Sequence, residues 1–488
     1  MTKLNNPLLP HQQAAVDKLS KIKVGALLME QGTGKSITAA EICRIRLEKG
    51  KIEKIIWLCP CSAKGNIKRE ILKQCPDEMV DHFIICGIET LSSSVYANAY
   101  LRDYVEKHKC FLIVDESLLV KNPFAVRTKN ILKIAELCPY RMILNGTPIS
   151  RNEADLYAQF YILDWRILGY KSYWSFAANH LEYDKYGKIR KVLDTDYLAE
   201  RIAPYSVQVK KSDCLTLPPK VYGSTGFYMT PEQNEEYDRV AEILMEQIDE
   251  FDSTTVYRLF SGLQAVMSGK RLTFNSSGRR FKTEEMFEDP QDNPRIQALL
   301  YEIEDMDDKI IIFCNYESEV SALCDLLPGA VRFDGKVSVR EREKALKAFS
   351  GDAQYLIANR ACAGYSLNLQ FCHRIIYLSN SWDLGTRLQS EDRVHRIGQT
   401  EQVSITDIYA YNSLDVRILR CLDKKTDILD SVKHDLDAAC KNHVSLKTSL
   451  SKIIRGKECK EVFDLNDLKD SESDEAVKQE DENQNVPA

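Results

Sequence analysis

The sequence predicts an α/β protein of two units, each with a parallel sheet, and a helical insertion between them. Three observations point there. Strand-sized apolar runs recur without period-2 alternation, at 55–59, 110–114 and 310–314, as expected of strands buried on both faces. Helical patterning separates these runs. The alternation stops near Trp165 and resumes after Pro294, leaving a Tyr-, Phe- and Lys-rich stretch between.

In chain order, residues 24–29 form a short apolar strand that ends at a glycine-rich turn, and an amphipathic helix follows to about Leu47. Strands at 55–59, 83–86, 110–114 and 142–144 continue the first unit, with a helix near 65–73. The insertion is broken by Leu217-Pro218-Pro219 and runs into a long helical pattern at 231–251, where Pro231 suits a helix start. The second unit reads as helix 295–305, strand 309–314, helix 317–327, strand 330–333, helix 338–349, strands 354–358 and 374–378, and helix 386–396.

The 488 residues are 28% charged and 44% hydrophobic. About 150 residues per domain allows three units or two large ones. No apolar run approaches the ~18 residues of a membrane span. The start, MTKLNNPLLPHQQ, has no apolar signal core, so no secretory signal and a cytoplasmic location are expected. The 15 cysteines are scattered without a CxxC pair. Free thiols packed as small hydrophobes in a reducing compartment follow from that.

The net charge of −6 is unevenly placed. From Asp464 to Ala488, nine acidic residues stand against two lysines, which leaves 64 basic and 63 acidic side chains in the other 463 residues. This tail reads as solvated and disordered, with a basic protein partner as one candidate role.

Chemistry enters at Met29-Glu-Gln-Gly-Thr-Gly-Lys-Ser36, where a strand hands over to a helix. Gly32 and Gly34 permit a tight turn whose N–H groups face a polyphosphate at the helix N-terminus. Lys35 suits the β- and γ-phosphates, and the Ser36 hydroxyl suits Mg²⁺. The strict phosphate-loop pattern has a glycine where this chain has Met29. The apolar strand 110–114 ends in Asp115-Glu116. There Asp115 suits Mg²⁺ through water, and Glu116 suits orientation or deprotonation of an attacking water. Phosphoryl transfer also needs positive charge beyond the γ-phosphate. Arg393 and Arg396 are three apart, so a helix would place both on one face.

Taken in order, these segments resemble the motifs of superfamily 2 helicases, and specifically the Swi/Snf-type DNA translocases. Leu9-Pro-His-Gln12 is similar to the family's adenine-contacting start, and residues 59–70 to its motif Ia. Asp115-Glu-Ser-Leu-Leu-Val-Lys-Asn122 resembles motif II, and Leu144-Asn-Gly-Thr-Pro148 motif III. Lys211-Ser-Asp213 with Leu217-Pro-Pro-Lys220 resembles the connector between lobes, although Gln208 and Val209 replace its arginine pair. Residues 309–313, 332–335 and 364–369 resemble motif IV, the strand and turn after it, and motif V, the last with Ala363 and Ser366 for two usual glycines. Residues 392–400 are nearly motif VI as the family writes it.

The resemblance implies two tandem RecA-like lobes closing on ATP and Mg²⁺. Lys35, Asp115, Glu116, Arg393 and Arg396 would be catalytic. Gln12, Gly32, Thr33, Gly34, Lys35, Ser36, Gly364 and Gln389 would surround the nucleotide, with Ser36 and Asp115 at the metal. Lys64, Asn66, Lys121, Arg360 and Trp382 would touch double-stranded DNA, forked or branched duplexes included. The implied division is lobe one at 1–205, with the insertion starting near 165, then a connector and helical protrusion at 206–292. Lobe two follows at 293–425, a helical brace at 426–463 and the acidic tail at 464–488. The implied activity is DNA-stimulated ATP hydrolysis driving translocation by a monomer, in the compact form carried by bacteria and their viruses. A strand-separating helicase and a nucleotide-gated clamp are the alternatives.

Overall fold

The computed structural model describes residues 3–146, 149, 152–183, 187, 189–215, 217–246, 253–275, 280–359, 368–380, 384–424, 431 and 446–455. Two six-stranded sheets organise it. The first runs Phe83–Gly87, Lys54–Cys59, Cys110–Asp115, Tyr140–Asn145, Val24–Met29 and Ser206–Val209 across the sheet, with every neighbouring pair parallel. The second runs Val331–Phe333, Tyr355–Asn359, Ile310–Cys314, Arg374–Tyr377, Val403–Ala410 and Lys220–Phe227, again all parallel.

Because successive side chains leave a strand on opposite faces, the apolar runs feed two cores each. In the first lobe Ala26, Leu28, Ile56, Leu58, Leu112 and Val114 enter one core. Leu27, Met29, Ile55, Trp57, Phe111 and Ile113 enter the other. In the second lobe Ile310, Ile312 and Ile357 face one way, and Ile311, Phe313 and Leu356 face the other. Double-sided burial is why no polar alternation is visible in these runs.

The structure differs from the sequence reading in what lies between the lobes. Ser206–Val209 completes the first sheet beside Val24–Met29. Lys220–Phe227 forms the edge of the second sheet along the whole of Val403–Ala410. Tyr237, Val240, Leu244, Leu259 and Leu263 share one core with the second sheet. Phe176, Ala177 and Leu198, from 165–205, pack into the first lobe. The helix Leu446–Arg455 of the expected brace joins the second lobe through Leu450, Ile454 and a hydrogen bond from the Tyr237 hydroxyl to the Ile454 carbonyl (2.7 Å). The tail at 464–488 lies outside the described residues. No described helix is long and apolar enough to cross a membrane.

Candidate functional site

All the groups that the sequence singled out within the described residues of the first lobe sit at or just beyond the carboxyl ends of its parallel strands or on the helices beside them, where open α/β sheets bind ligands. Strand Val24–Met29 delivers the loop to helix Lys35–Glu48. Gly32 (φ 84°) and Gly34 (φ 92°) are both left-handed, a conformation that glycine adopts without a Cβ penalty. Met29 is the last strand residue and its side chain is fully buried, so no glycine is needed there. Helix Pro10–Leu19 braces the loop from one side. Gln12 Nε2 donates to the Thr33 carbonyl (3.0 Å), and His11 Nε2 lies 2.9 Å from the same oxygen. The Thr33 hydroxyl donates to the Glu30 carbonyl (2.7 Å), and Lys35 Nζ donates to the Met29 carbonyl (2.8 Å).

Asp115 ends strand Cys110–Asp115, and its carboxylate accepts from the Glu116 N–H (2.9 Å) and Trp57 Nε1 (3.4 Å). Glu116 itself is left-handed (φ 48°, ψ 53°), which costs a side-chain-bearing residue on the order of 1–3 kcal/mol. That turn leaves the Glu116 charge within electrostatic reach of Lys35 and Arg393.

The arginines come from the other lobe, but not on a helix as the spacing predicts. The helix Leu384–Glu391 stops before them, and tight turns carry the chain on to Gly398 (φ 95°). Val394 explains the early stop. It is fully buried beside Leu369 and Cys372, and the Arg393 carbonyl accepts from the Leu369 N–H (3.0 Å), which pulls the chain inward. Arg393 and Arg396 therefore share no helical face. They still reach the lobe boundary, where a Cβ at Gly32 would lie 2.9 Å from the Cβ of Arg396.

The electrostatics of this cluster are those of a site built for something charged. Burial lowers the Lys35 ammonium below its ordinary range, against the pull of Glu116 and Asp115. Burial also pushes the Arg393 guanidinium down to about 10, despite Glu116, and lowers Arg396. Asp115 moves the opposite way, up to about 7, through burial and the Glu116 charge with Lys35 opposing. Each charged form is strained in the bare protein. A polyanion would relieve the cations, and a cation would relieve the acid pair.

The SNF2-related domain family matches residues 11–276, more than half of the chain. The chain belongs to the SNF2-related family. A helicase conserved C-terminal domain matches residues 294–398. Among relatives, an uncharacterised ATP-dependent helicase of Mycoplasma genitalium is 22% identical, over 75% of this chain and 34% of that protein. One of Bacillus subtilis is 23% identical, over 88% of this chain and 80% of that protein. The chain thus spans about a third of the first relative and four fifths of the second. The Sulfolobus solfataricus SWI2/SNF2 ATPase core in complex with dsDNA aligns over 93% of this chain and 98% of its own, with TM-score 0.40 and 20% identity. The chain thus pairs an SNF2-related domain with a helicase C-terminal domain, a helicase-like arrangement.

The other expected contacts of this SNF2-type chain are distributed as follows. Lys64 is exposed at the start of helix Lys64–Gln74, and Asn66 Oδ1 on that helix accepts from Arg69 Nη2 (2.6 Å). Lys121 Nζ lies 3.3 Å from the Asp155 carboxylate. Gln389 is exposed on helix Leu384–Glu391, whose buried face carries Arg387, Ser390 and Glu391. Gly364, Arg360 and Trp382 lie outside the described residues, as do Thr147 and Pro148.

Gln159, which sequence reasoning missed, stands behind these groups and joins two residues of the quoted motifs. Ser117, next to the acid pair, donates to Gln159 Oε1 (2.6 Å), and Asn145 Nδ2 is 3.5 Å from both. No sequence signal links positions so far apart. No described group of three or more His, Cys, Asp or Glu side chains is arranged to hold a metal ion by itself. One carboxylate and one hydroxyl, Asp115 and Ser36, fit Mg²⁺, which is commonly held by one or two carboxylates together with substrate phosphates. The raised Asp115 carboxyl, beside the Glu116 charge, fits a cation there as well.

Proposed function

We propose that this chain is a DNA-stimulated ATPase that uses hydrolysis to translocate on double-stranded DNA as a monomer. The observation that carries the reading is the meeting of Gly32 in one lobe with Arg396 in the other. Hydrolytic machinery split across a lobe boundary turns over only when the lobes close, so whatever favours closure governs the rate.

In this reading Lys35 leaves the Met29 carbonyl for the β- and γ-phosphates, and the N-terminus of helix Lys35–Glu48 supports the phosphate oxygens. Mg²⁺, held by Ser36 and Asp115, would neutralise phosphate charge. Glu116 orients the attacking water and accepts its proton. Arg393 and Arg396 stabilise the negative charge on the transferred group. Lys64, Asn66 and Lys121, with Arg360 and Trp382, hold the DNA mainly through its phosphates, which fix position without reading sequence. The acidic tail is left to recruit a basic protein partner.

The deciding experiment measures ATPase rate with duplex, single-stranded and forked DNA, beside displacement of a triplex-forming strand from duplex. Stimulation by plain duplex together with ATP-dependent displacement is expected. Stimulation confined to forks, with strand separation, would replace translocation by a strand-separating helicase. DNA binding should weaken steeply with salt, since each phosphate contact releases counterions.

A further inference from the structure

The strap between the lobes carries contacts that the proposed function does not use, although their meaning rests on that reading of a shared nucleotide site. Strand Ser206–Val209 leads directly onto the phosphate loop. The Glu30 N–H donates to the Val209 carbonyl (3.0 Å), and the Lys211 N–H donates to the Glu30 carboxylate (2.8 Å). From this anchor the Lys211 side chain crosses to the other lobe. Its Nζ donates to Asp392 Oδ1 (2.6 Å) and to the His395 carbonyl (2.9 Å), and its Cε passes 3.5 Å from where a Cβ on Gly32 would stand. Further along, His395 Nε2 lies 2.9 Å from the Pro218 carbonyl, and Lys220 pairs with Glu391 (2.8 Å) and, more loosely than Lys211, with Asp392 (3.8 Å).

Lys211 thus touches the first residue of the phosphate loop with its backbone, and with its ammonium the residue before Arg393 and the residue before Arg396. The contact is built rather than casual. Lys210 beside it is exposed, whereas the Lys211 side chain is 12% exposed and Asp392 21%. Asp392 matters because its charge also acts on both Arg393 and Arg396. A carboxylate drawn onto either guanidinium would cancel charge that the transferred phosphoryl group requires.

We propose that Lys211 is a positioning residue for phosphoryl transfer: it engages the Asp392 carboxylate and the His395 carbonyl, keeps Asp392 off Arg393 and Arg396, and seats the arginine loop against the phosphate loop. Gln208 and Val209 of the same strap are uncharged, and the Lys211 ammonium makes the pair with Asp392.

The test uses the full chain and steady-state ATP hydrolysis with duplex DNA, with ATP affinity measured separately on a fluorescent non-hydrolysable analogue. Lys211→Met is expected to lower kcat by roughly 10- to 100-fold while KM and analogue affinity stay within about threefold, the split of an interaction realised only in the transition state. Lys211→Arg should recover most of the rate. Lys211→Gln, which keeps a donor and loses the charge, should fall with Lys211→Met even if the latter is poorly folded. Lys211→Met/Asp392→Asn should turn over faster than Lys211→Met alone, because the misplaced carboxylate is gone. Wild-type rates in Lys211→Gln, or a double variant slower than Lys211→Met, overturn the inference. A wild-type chain that hydrolyses no ATP overturns the hydrolase reading and takes the inference with it.

Discussion

Gly32 and Arg396 stand back to back across the lobe boundary, so close that a Cβ on the glycine would lie 2.9 Å from that of the arginine. Gly32 is also left-handed at φ 84°. Gly32→Ala therefore carries two penalties, one of roughly 1–2 kcal/mol for the backbone and one for pushing the lobes apart. DNA-stimulated kcat should fall by about tenfold or more, by analogy with other small misplacements of catalytic groups. Small-angle scattering should show a more extended chain. An alanine variant with unchanged kcat and scattering would mean that hydrolysis does not require this approach.

The two ends of the proposed catalytic cluster should fail differently. Glu116→Gln removes the proposed proton acceptor but keeps the side chain's size, so ATP binding should persist while turnover is lost. Lys35→Ala removes the charge proposed to position the phosphates and should lose roughly 10²-fold or more in rate. Isothermal titration with ATP alongside a phosphate-release assay distinguishes them. Normal hydrolysis in Glu116→Gln would remove Glu116 from the role assigned here.

Asp115 should make the nucleotide-free protein sensitive to pH. Burial and the neighbouring Glu116 charge push its carboxyl up to about 7 in the fold, from an ordinary value of 3.8. The folded state binds the proton more tightly, so this contribution to stability is complete below about pH 4 and is lost as pH rises through about 7. Asp115→Asn should therefore gain on wild type over that window by on the order of a few kcal/mol, and little more at higher pH. Glu116→Gln, which removes part of the cause, should narrow the gap. Thermal melts from pH 4 to 8 check this, and a gap that does not vary with pH contradicts it.

Arg295 joins the helices of the insertion to the second sheet. It is 2% exposed, donates to the carbonyls of Met267 (3.1 Å) and Leu378 (2.6 Å), and pairs with Asp415. Arg295→Met leaves Asp415 buried without its cation and should cost about 3–5 kcal/mol. Denaturant unfolding followed by a probe in the second lobe reads that loss. A change under 1 kcal/mol would mean that the insertion does not depend on this joint.

Much of this was legible because local chemistry dictated it. Strands 110–115 and 310–314 are apolar without interruption, and a glycine-rich turn between strand and helix has few other uses. Lys220–Phe227 and Val403–Ala410 were not legible as strands. Gly223 and Gly226 make the first look like a loop, yet a Cβ at Gly226 would strike the Tyr411 ring at 2.4 Å. In the second, Asp407 looks solvent-facing, but Arg387 binds it with both terminal nitrogens (2.5 and 3.1 Å). Those partners are remote in sequence, so neither exception leaves a periodic trace.

The sequence by itself determined the two-sheet plan, the phosphate loop, the acid pair and the family, because each is written in contiguous residues whose backbone and charge requirements are local. The tertiary structure alone decided that helix 384–391 ends before its arginines, that the insertion is shared between the lobes, and that Lys211 spans Glu30 and Asp392. Those outcomes depend on which buried surfaces and charges meet across long stretches of chain, and packing settles them rather than propensity.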